Sequence, residues 1–263
     1  MHTRHLDVDG ARLGYDEHGD GPVVIVAHGL ARSRAVERRV GLSRWDELEA
    51  AGFRVVSYDA RGHGESTGRA VPEDYRWAAL AEDLLALADA VSPDAPVHAI
   101  GTSMGTATIV HALTRRPERF RSVTLTAPPT SWETRRAQGR LYSANATAAE
   151  SMTAEEFAAE WTAGAPPQIF TGLDVSPPPD VAIELMPSLL RGCALTDMPA
   201  DDAISAIPVP TLILPWATDP GHPLSTAERL AALIPHAECE AAEDVETVRG
   251  WPSRAARFFV AHP

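Results

Sequence analysis

The sequence predicts an α/β fold: a mostly parallel, twisted sheet with helices on both faces and a helical lid inserted late in the chain. Three observations predict it. Five short, continuous apolar runs recur along the chain, each suited to a strand buried on both faces. Helix-period segments separate them, so crossovers must join the strands and run them parallel. One span, 131–205, breaks the alternation and holds no strand pattern.

The elements follow in order. Thr3 to Glu17 reads as an antiparallel hairpin that turns at Asp9-Gly10. Val23 to Ala27 is the first buried strand and Phe53 to Tyr58 the second. Tyr75 to Ala90 is a helix with Leu80, Leu84, Leu87 and Val91 along one side. Val97 to Ile100 is the third strand. The helix after it, Met104 to Thr114, is apolar nearly all round, as a fully buried helix should be. Ser122 to Thr126 and Pro210 to Leu214 are the fourth and fifth strands, and His236 to Ala241 is a weaker edge strand. A capping-box pattern, Ser225-Thr226-Ala227-Glu228, predicts a helix over 226–234. The last helix starts near Pro252 and buries Ala255, Phe258 and Phe259. The division is therefore a core of residues 1–130 and 206–263, with a cap of residues 131–205. That cap carries Trp132, Tyr142, Phe157, Trp161 and Phe170, and is broken by Pro166-Pro167 and Pro177-Pro178-Pro179.

Composition narrows the function. With 44% apolar residues, 263 residues can build one sizeable core. A net charge of −13 and no long basic run argue against nucleic acid and anionic membranes as partners. Cys193 and Cys239 lie far apart and share no metal-ligand spacing with histidines, so no metal and no cofactor are expected. The start, Met1-His2-Thr3-Arg4-His5, leads into strand alternation without an apolar leader, which reads as a cytoplasmic protein. The expected partner is a small-molecule substrate; oligomeric state is not legible.

The motif that carries chemistry is Gly101-Thr102-Ser103-Met104-Gly105. It stands between a predicted strand and a predicted helix, the setting in which a serine is lifted onto a sharp turn. Glycines at both ends remove side chains that would strike the neighbouring strand and helix. The helix N-terminus then offers free N–H groups to a developing oxyanion. His28-Gly29-Leu30 follows the first buried strand, so the N–H groups of Leu30 and Met104 form the expected oxyanion hole. Asp59-Ala60-Arg61-Gly62-His63-Gly64-Glu65-Ser66 reads as an architectural loop at the same edge, and His28 as a loop-stabilising residue. His98, His111 and His236 read as structural.

Together these motifs resemble the α/β-hydrolase superfamily, of the kind that includes enol-lactonases, haloperoxidase-like esterases and meta-cleavage hydrolases. The resemblance covers the chain outside the lid. It implies an eight-stranded sheet and a cap over the site. It also implies that Asp219, after the Thr211 to Leu214 strand, is the acid. The same resemblance places the base in the loop before the last helix, 242–251, and that loop has no histidine.

A serine hydroxyl needs such a base, oriented by a carboxylate. Three readings stand. His222, three residues after Asp219, is a relocated base. Alternatively Glu243 or Asp244 occupies the vacated place, which requires burial to raise a carboxylate's basicity. In the third reading no base exists. The expectation is a serine hydrolase of a small apolar ester, lactone or thioester, with Ser103 as nucleophile, His222 as base and Asp219 as acid. Trp132, Tyr142 and Trp161 are the expected pocket walls. The alternatives are a catalytically impaired homologue that binds a small molecule, and a C–C bond hydrolase.

Overall fold

The order in which the chain visits the strands of its sheet sets where a site can form. A computed structural model describes residues 2–263. β1 (Arg4–Val8) and β2 (Ala11–His18) make the expected hairpin, and Gly10 takes the left-handed conformation (φ 71°) that its tight turn demands. β3 (Val23–Ala27) is buried at every residue. It leads into α1 (Arg34–Val40), a short helix that hydrophobic periodicity does not reveal. The Ser33 side chain accepts the Val36 N–H at its start, and Gly41 closes it with φ 62°. β4 (Arg54–Tyr58), α2 (Trp77–Val91), β5 (Val97–Thr102), α3 (Met104–Leu113) and β6 (Phe120–Thr126) follow where the apolar runs and helical periods place them.

Between β6 and the next strand lie α4 (Arg135–Ala149), α5 (Ala154–Thr162), α6 (Met186–Ala194) and α7 (Asp201–Ser205). These helices pack a small apolar cluster of their own, with Ala146, Phe157, Met186, Leu189 and Leu190 buried against Tyr75. α5 opens with a capping box in which Thr153 and Glu156 exchange bonds. β7 (Thr211–Leu214), α8 (Leu224–Leu233), β8 (Ala237–Cys239), α9 (Val245–Arg249) and α10 (Trp251–Ala261) complete the chain.

Two local expectations need correction. The box at Ser225 to Glu228 does not cap α8. The helix starts earlier, after Pro223, whose backbone (φ −68°, ψ 138°) turns the chain into it with no side-chain cap. Thr226 is then buried inside the first turn. The span 242–251 is not simply a loop, because Asp244 caps α9 by accepting the Thr247 N–H.

The sheet order is β1-β2-β4-β3-β5-β6-β7-β8, parallel from β4 to β8 and antiparallel in the first three strands. Alternate side chains of the parallel strands feed two cores. Ile25, Val56, Ala99, Val123 and Ile213 pack with α2, α3 and α8 on one face. Val24, Val55, Ile100 and Leu212 pack with Trp45, Trp251, Phe258 and Phe259 on the other. Each such side chain contributes roughly 1.5–3 kcal/mol by leaving water.

β3 lies between β4 and β5, so the chain leaves it first to one side and later resumes on the other. The crevice at the carboxyl ends of β3 and β5 is a topological switch point, where open α/β sheets bind ligands. Ala27 pairs with Gly101 there, so the segments after both strands emerge side by side.

Candidate active site

Ser103 leaves the end of β5 with φ 53° and ψ −107°, a strained backbone for a residue with a side chain. Crowding enforces the flanking glycines. A Cβ on Gly101 would lie 2.4 Å from the Gly105 carbonyl carbon, and one on Gly105 would lie 2.2 Å from the Ala27 oxygen. Bonds from β6 hold the turn. The Ser103 N–H donates to the Thr126 oxygen (3.1 Å), and the Thr106 hydroxyl reaches the oxygens of Gly101 (2.8 Å) and Thr126 (2.7 Å).

The loop from β7 to α8 brings two further groups to this serine. Asp219-Pro220-Gly221-His222 is a tight turn in which the His222 N–H donates to the Asp219 carbonyl (3.1 Å). The turn folds His222 back over the Asp219 side chain. His222 Nδ1 lies 2.7 Å from Asp219 Oδ2, and His222 Nε2 lies 2.8 Å from Ser103 Oγ. An ionised carboxylate only accepts, so Nδ1 carries the proton and Nε2 is free to accept the serine hydroxyl. Although Asp219 and His222 stand only three residues apart, this reversal of direction lets one ring reach both the carboxylate and the serine.

Three donors converge on Asp219. Besides His222, the Trp216 indole N–H reaches Oδ2 (2.8 Å) and the Gly221 N–H reaches Oδ1 (2.8 Å). Burial alone would raise the acid's pKa. The bonds and charge from His222, with those from Trp216 and Gly221, outweigh it and lower the pKa to about 2. Trp216 is itself stacked flat on Trp251, ring centres 5.7 Å apart, and meets the His222 ring edge-on at 5.4 Å. No sequence motif announces Trp216 or Trp251 as members of the site.

Asp244 stands elsewhere in role. Its side chain is spent on the α9 cap, and its pKa is lowered by the bond from the Thr247 N–H. Glu243 and Asp244 are both exposed, and neither lines the cavity in front of Ser103.

The segment after β3 runs past the serine. A Cβ on Gly29 would stand 3.7 Å from Ser103 Cβ, an ordinary contact, so glycine here leaves open space rather than averting a clash. Ala31 is held at φ 58° by bonds on both sides. Its N–H donates to His63 Nε2 (3.2 Å), and its oxygen accepts the Asp180 N–H (2.9 Å). His28 and His63 are alike: in each, Nε2 accepts a backbone N–H while Nδ1 faces a carbonyl oxygen. Each must therefore stay neutral, and burial lowers their pKa values to about 4 and about 3. Asp59, from the same loop, accepts the N–H groups of Arg34 (2.9 Å) and Glu65 (3.0 Å). These residues brace the site without facing the serine.

In front of Ser103 and His222 opens a cavity of about 710 Å³. Gly29, Leu30, Tyr142, Trp161, Trp216 and Trp251 are among its walls. Of the three expected wall residues, Tyr142 and Trp161 are there. Trp132 is not. Its φ of 51° turns it away, its N–H donates to Asp197 (3.0 Å), and its ring lies under the Arg229 guanidinium at 4.3 Å. Among the described residues no helix is long and apolar enough to cross a membrane.

Comparison with known proteins agrees with this architecture. Residues 22–146 match the family model described as alpha/beta hydrolase fold. A protein of Caballeronia sordidicola named epoxide hydrolase is 30% identical over 118 residues, which are 45% of this chain and 34% of that one. The chain spans only 20% to 34% of the length of the curated relatives that it matches. Among solved structures, a hydrolase from Pseudomonas aeruginosa superposes with a TM-score of 0.78 at 22% identity, over 99% of this chain and 97% of that one. The enol-lactonase from Burkholderia xenovorans superposes with a TM-score of 0.76 at 21% identity, over 98% and 100%.

Proposed function

We propose that this chain, whose residues 22–146 match the alpha/beta hydrolase fold family model, is a serine hydrolase of the α/β-hydrolase type that cleaves a small ester, lactone or thioester. One observation carries the proposal: the unbroken relay Asp219–His222–Ser103, with bonds of 2.7 and 2.8 Å, at the inner end of a cavity of substrate size. Ser103 Oγ attacks the carbonyl carbon while its proton passes to His222 Nε2. Asp219 stays ionised, holds the ring and stabilises the imidazolium. The oxyanion is received by the N–H groups of Leu30 and Met104, each worth ~10²–10³ in rate. His222 then gives its proton to the leaving oxygen or sulfur. A water, deprotonated by the same ring, frees the acid from Ser103.

The nucleophile also argues against carrying over the activity named for the Caballeronia relative. A serine that opened an epoxide would be left as an alkyl ether, which a histidine and water do not cleave. Attack on an acyl group leaves an ester, which they do.

The test is labelling with a fluorophosphonate at neutral pH, followed by mass spectrometry. The expected adduct sits on Ser103, is lost in His222→Ala and persists in Glu243→Ala and Asp244→Ala. Absence of an adduct on Ser103 ends the hydrolase reading. Loss in the carboxylate variants alone moves the base to that loop.

A further inference from the structure

The cavity carries one guanidinium, Arg32, and no other Arg or Lys lines it. Arg32 makes a single side-chain bond, from Nη2 to the Val175 oxygen (2.5 Å). Among the described residues it makes no ion pair and no other side-chain hydrogen bond, which leaves four of its five N–H donors without a protein acceptor. A Cβ placed on Gly29 would touch both Ser103 Cβ (3.7 Å) and Arg32 Cγ (3.8 Å), so the stem of the Arg32 side chain passes close to the reacting serine. Three carboxylates share the cavity: Asp219, which is engaged by His222, Trp216 and Gly221, then Glu160, and Glu37, whose pKa burial raises and the Arg32 charge lowers. Among the described residues no ion pair joins Arg32 to Glu37 or Glu160, so its fork is open to an acid brought by the ligand.

A cation held in a cavity without a partner lacks the usual compensation for leaving water. A carboxylate from the ligand supplies it, and the planar fork of the guanidinium suits that group. We propose that Arg32 is a specificity-determining residue which binds a carboxylate on the acyl part of the substrate, so that the preferred substrate is a half-ester or lactone acid rather than a neutral ester. This rests on the hydrolase reading, and the test separates the two.

The assay compares the mono-4-nitrophenyl ester of glutaric acid with 4-nitrophenyl valerate, which matches it in chain length and lacks the charge. In the wild-type chain kcat/KM is expected to favour the anionic ester at least tenfold. In Arg32→Gln that preference should fall by roughly 10–100-fold, the cost of a lost charge-assisted pair. Arg32→Lys should restore part of it. A residue that only anchors Val175 would lower both rates together and leave the ratio unchanged, and that result overturns the proposal. A wild-type preference for the valerate ester overturns it equally. If neither ester is cleaved and no Ser103 adduct forms, the hydrolase reading fails on its own. Calorimetry with glutarate then decides the Arg32 site: binding to Ser103→Ala, weakened at least tenfold by adding Arg32→Gln, supports it, and equal or absent binding overturns it.

Discussion

Replacing Asp219 by Asn tests the relay at its most constrained point. The carboxylate accepts three bonds: His222 Nδ1–H and the Trp216 N–H on Oδ2, and the Gly221 N–H on Oδ1. The indole and the backbone amide can only donate. Asparagine offers one oxygen and one NH₂, so every orientation sets a donor against a donor. With the oxygen at the Oδ2 position, the NH₂ meets the Gly221 N–H, and an unsatisfied pair costs about 1–3 kcal/mol of stability. With the NH₂ at that position, it meets the Trp216 N–H and gives His222 Nδ1 a donor. The ring then keeps its proton on Nε2 and cannot accept from Ser103. Either way the charge that stabilises the imidazolium is gone. By the precedent of other serine hydrolases the rate should fall ~10⁴-fold, about 5.5 kcal/mol in the barrier. The assays are kcat/KM on a 4-nitrophenyl ester and the rate of fluorophosphonate labelling, with circular dichroism to confirm folding. The wild-type pH profile adds a check. Asp219, lowered to about 2, should contribute no inflection above pH 4. A folded Asp219→Asn chain within tenfold of wild type refutes the relay.

Two further outcomes are expected. Gly105→Ala should not yield a stable protein, because its methyl would meet Ala27 backbone atoms at 2.2–2.7 Å. Gly29→Ala should melt as wild type yet slow ester cleavage, since its methyl makes ordinary contacts and stands in the cavity over Ser103. Thermal melts and rates on both variants check the pair, and the opposite ordering of stability would contradict the elbow geometry. Stability should also fall in acid. His28, His63 and His98 are lowered by burial from 6.5 to about 4, 3 and 4, so the unfolded chain binds protons that the folded chain does not. Their contribution is complete above pH 6.5 and is lost as the pH falls toward 4, by about 2 kcal/mol each at pH 5. Denaturant titrations at pH 7.5 and 5.0 measure this, and equal midpoints would show that the three rings titrate freely.

The sheet and its order of elements were legible because buried parallel strands are written as continuous apolar runs. The elbow was legible because two glycines and a serine between a strand and a helix have few other uses. That Asp219 would stand near Ser103 was legible only through the resemblance. The meeting of His222 with Ser103 was open, since it depends on the direction of one turn, and spacing does not determine direction. Trp216 and Trp251 were invisible for a different reason. A tryptophan that orients a carboxylate has the same apolar signature as one that fills a core. Trp132 failed the other way: an aromatic in a lid segment carries no sign of which surface it faces. Arg32 shows its character only by what it lacks, and a missing partner is a property of the fold.

Placing base and acid on one turn changes how the site is held. Where the two come from separate loops, each must be positioned against the other and against the serine. Here the Asp219–His222 geometry belongs to a single four-residue unit, and only its placement relative to Ser103 remains to be specified. Three contacts from outside the turn do this. The Thr130 N–H, just past β6, donates to the Gly221 oxygen (3.1 Å). The Ile169 N–H, from the segment between α5 and α6, donates to the hydroxyl of Thr218 (3.0 Å), which is itself held at φ 66°. Trp251 stacks behind Trp216, whose N–H fixes Asp219. Trp251, at the start of α10, thus braces Asp219 from behind. The segment between β6 and β7, which supplies walls of the cavity, also touches the loop that carries His222.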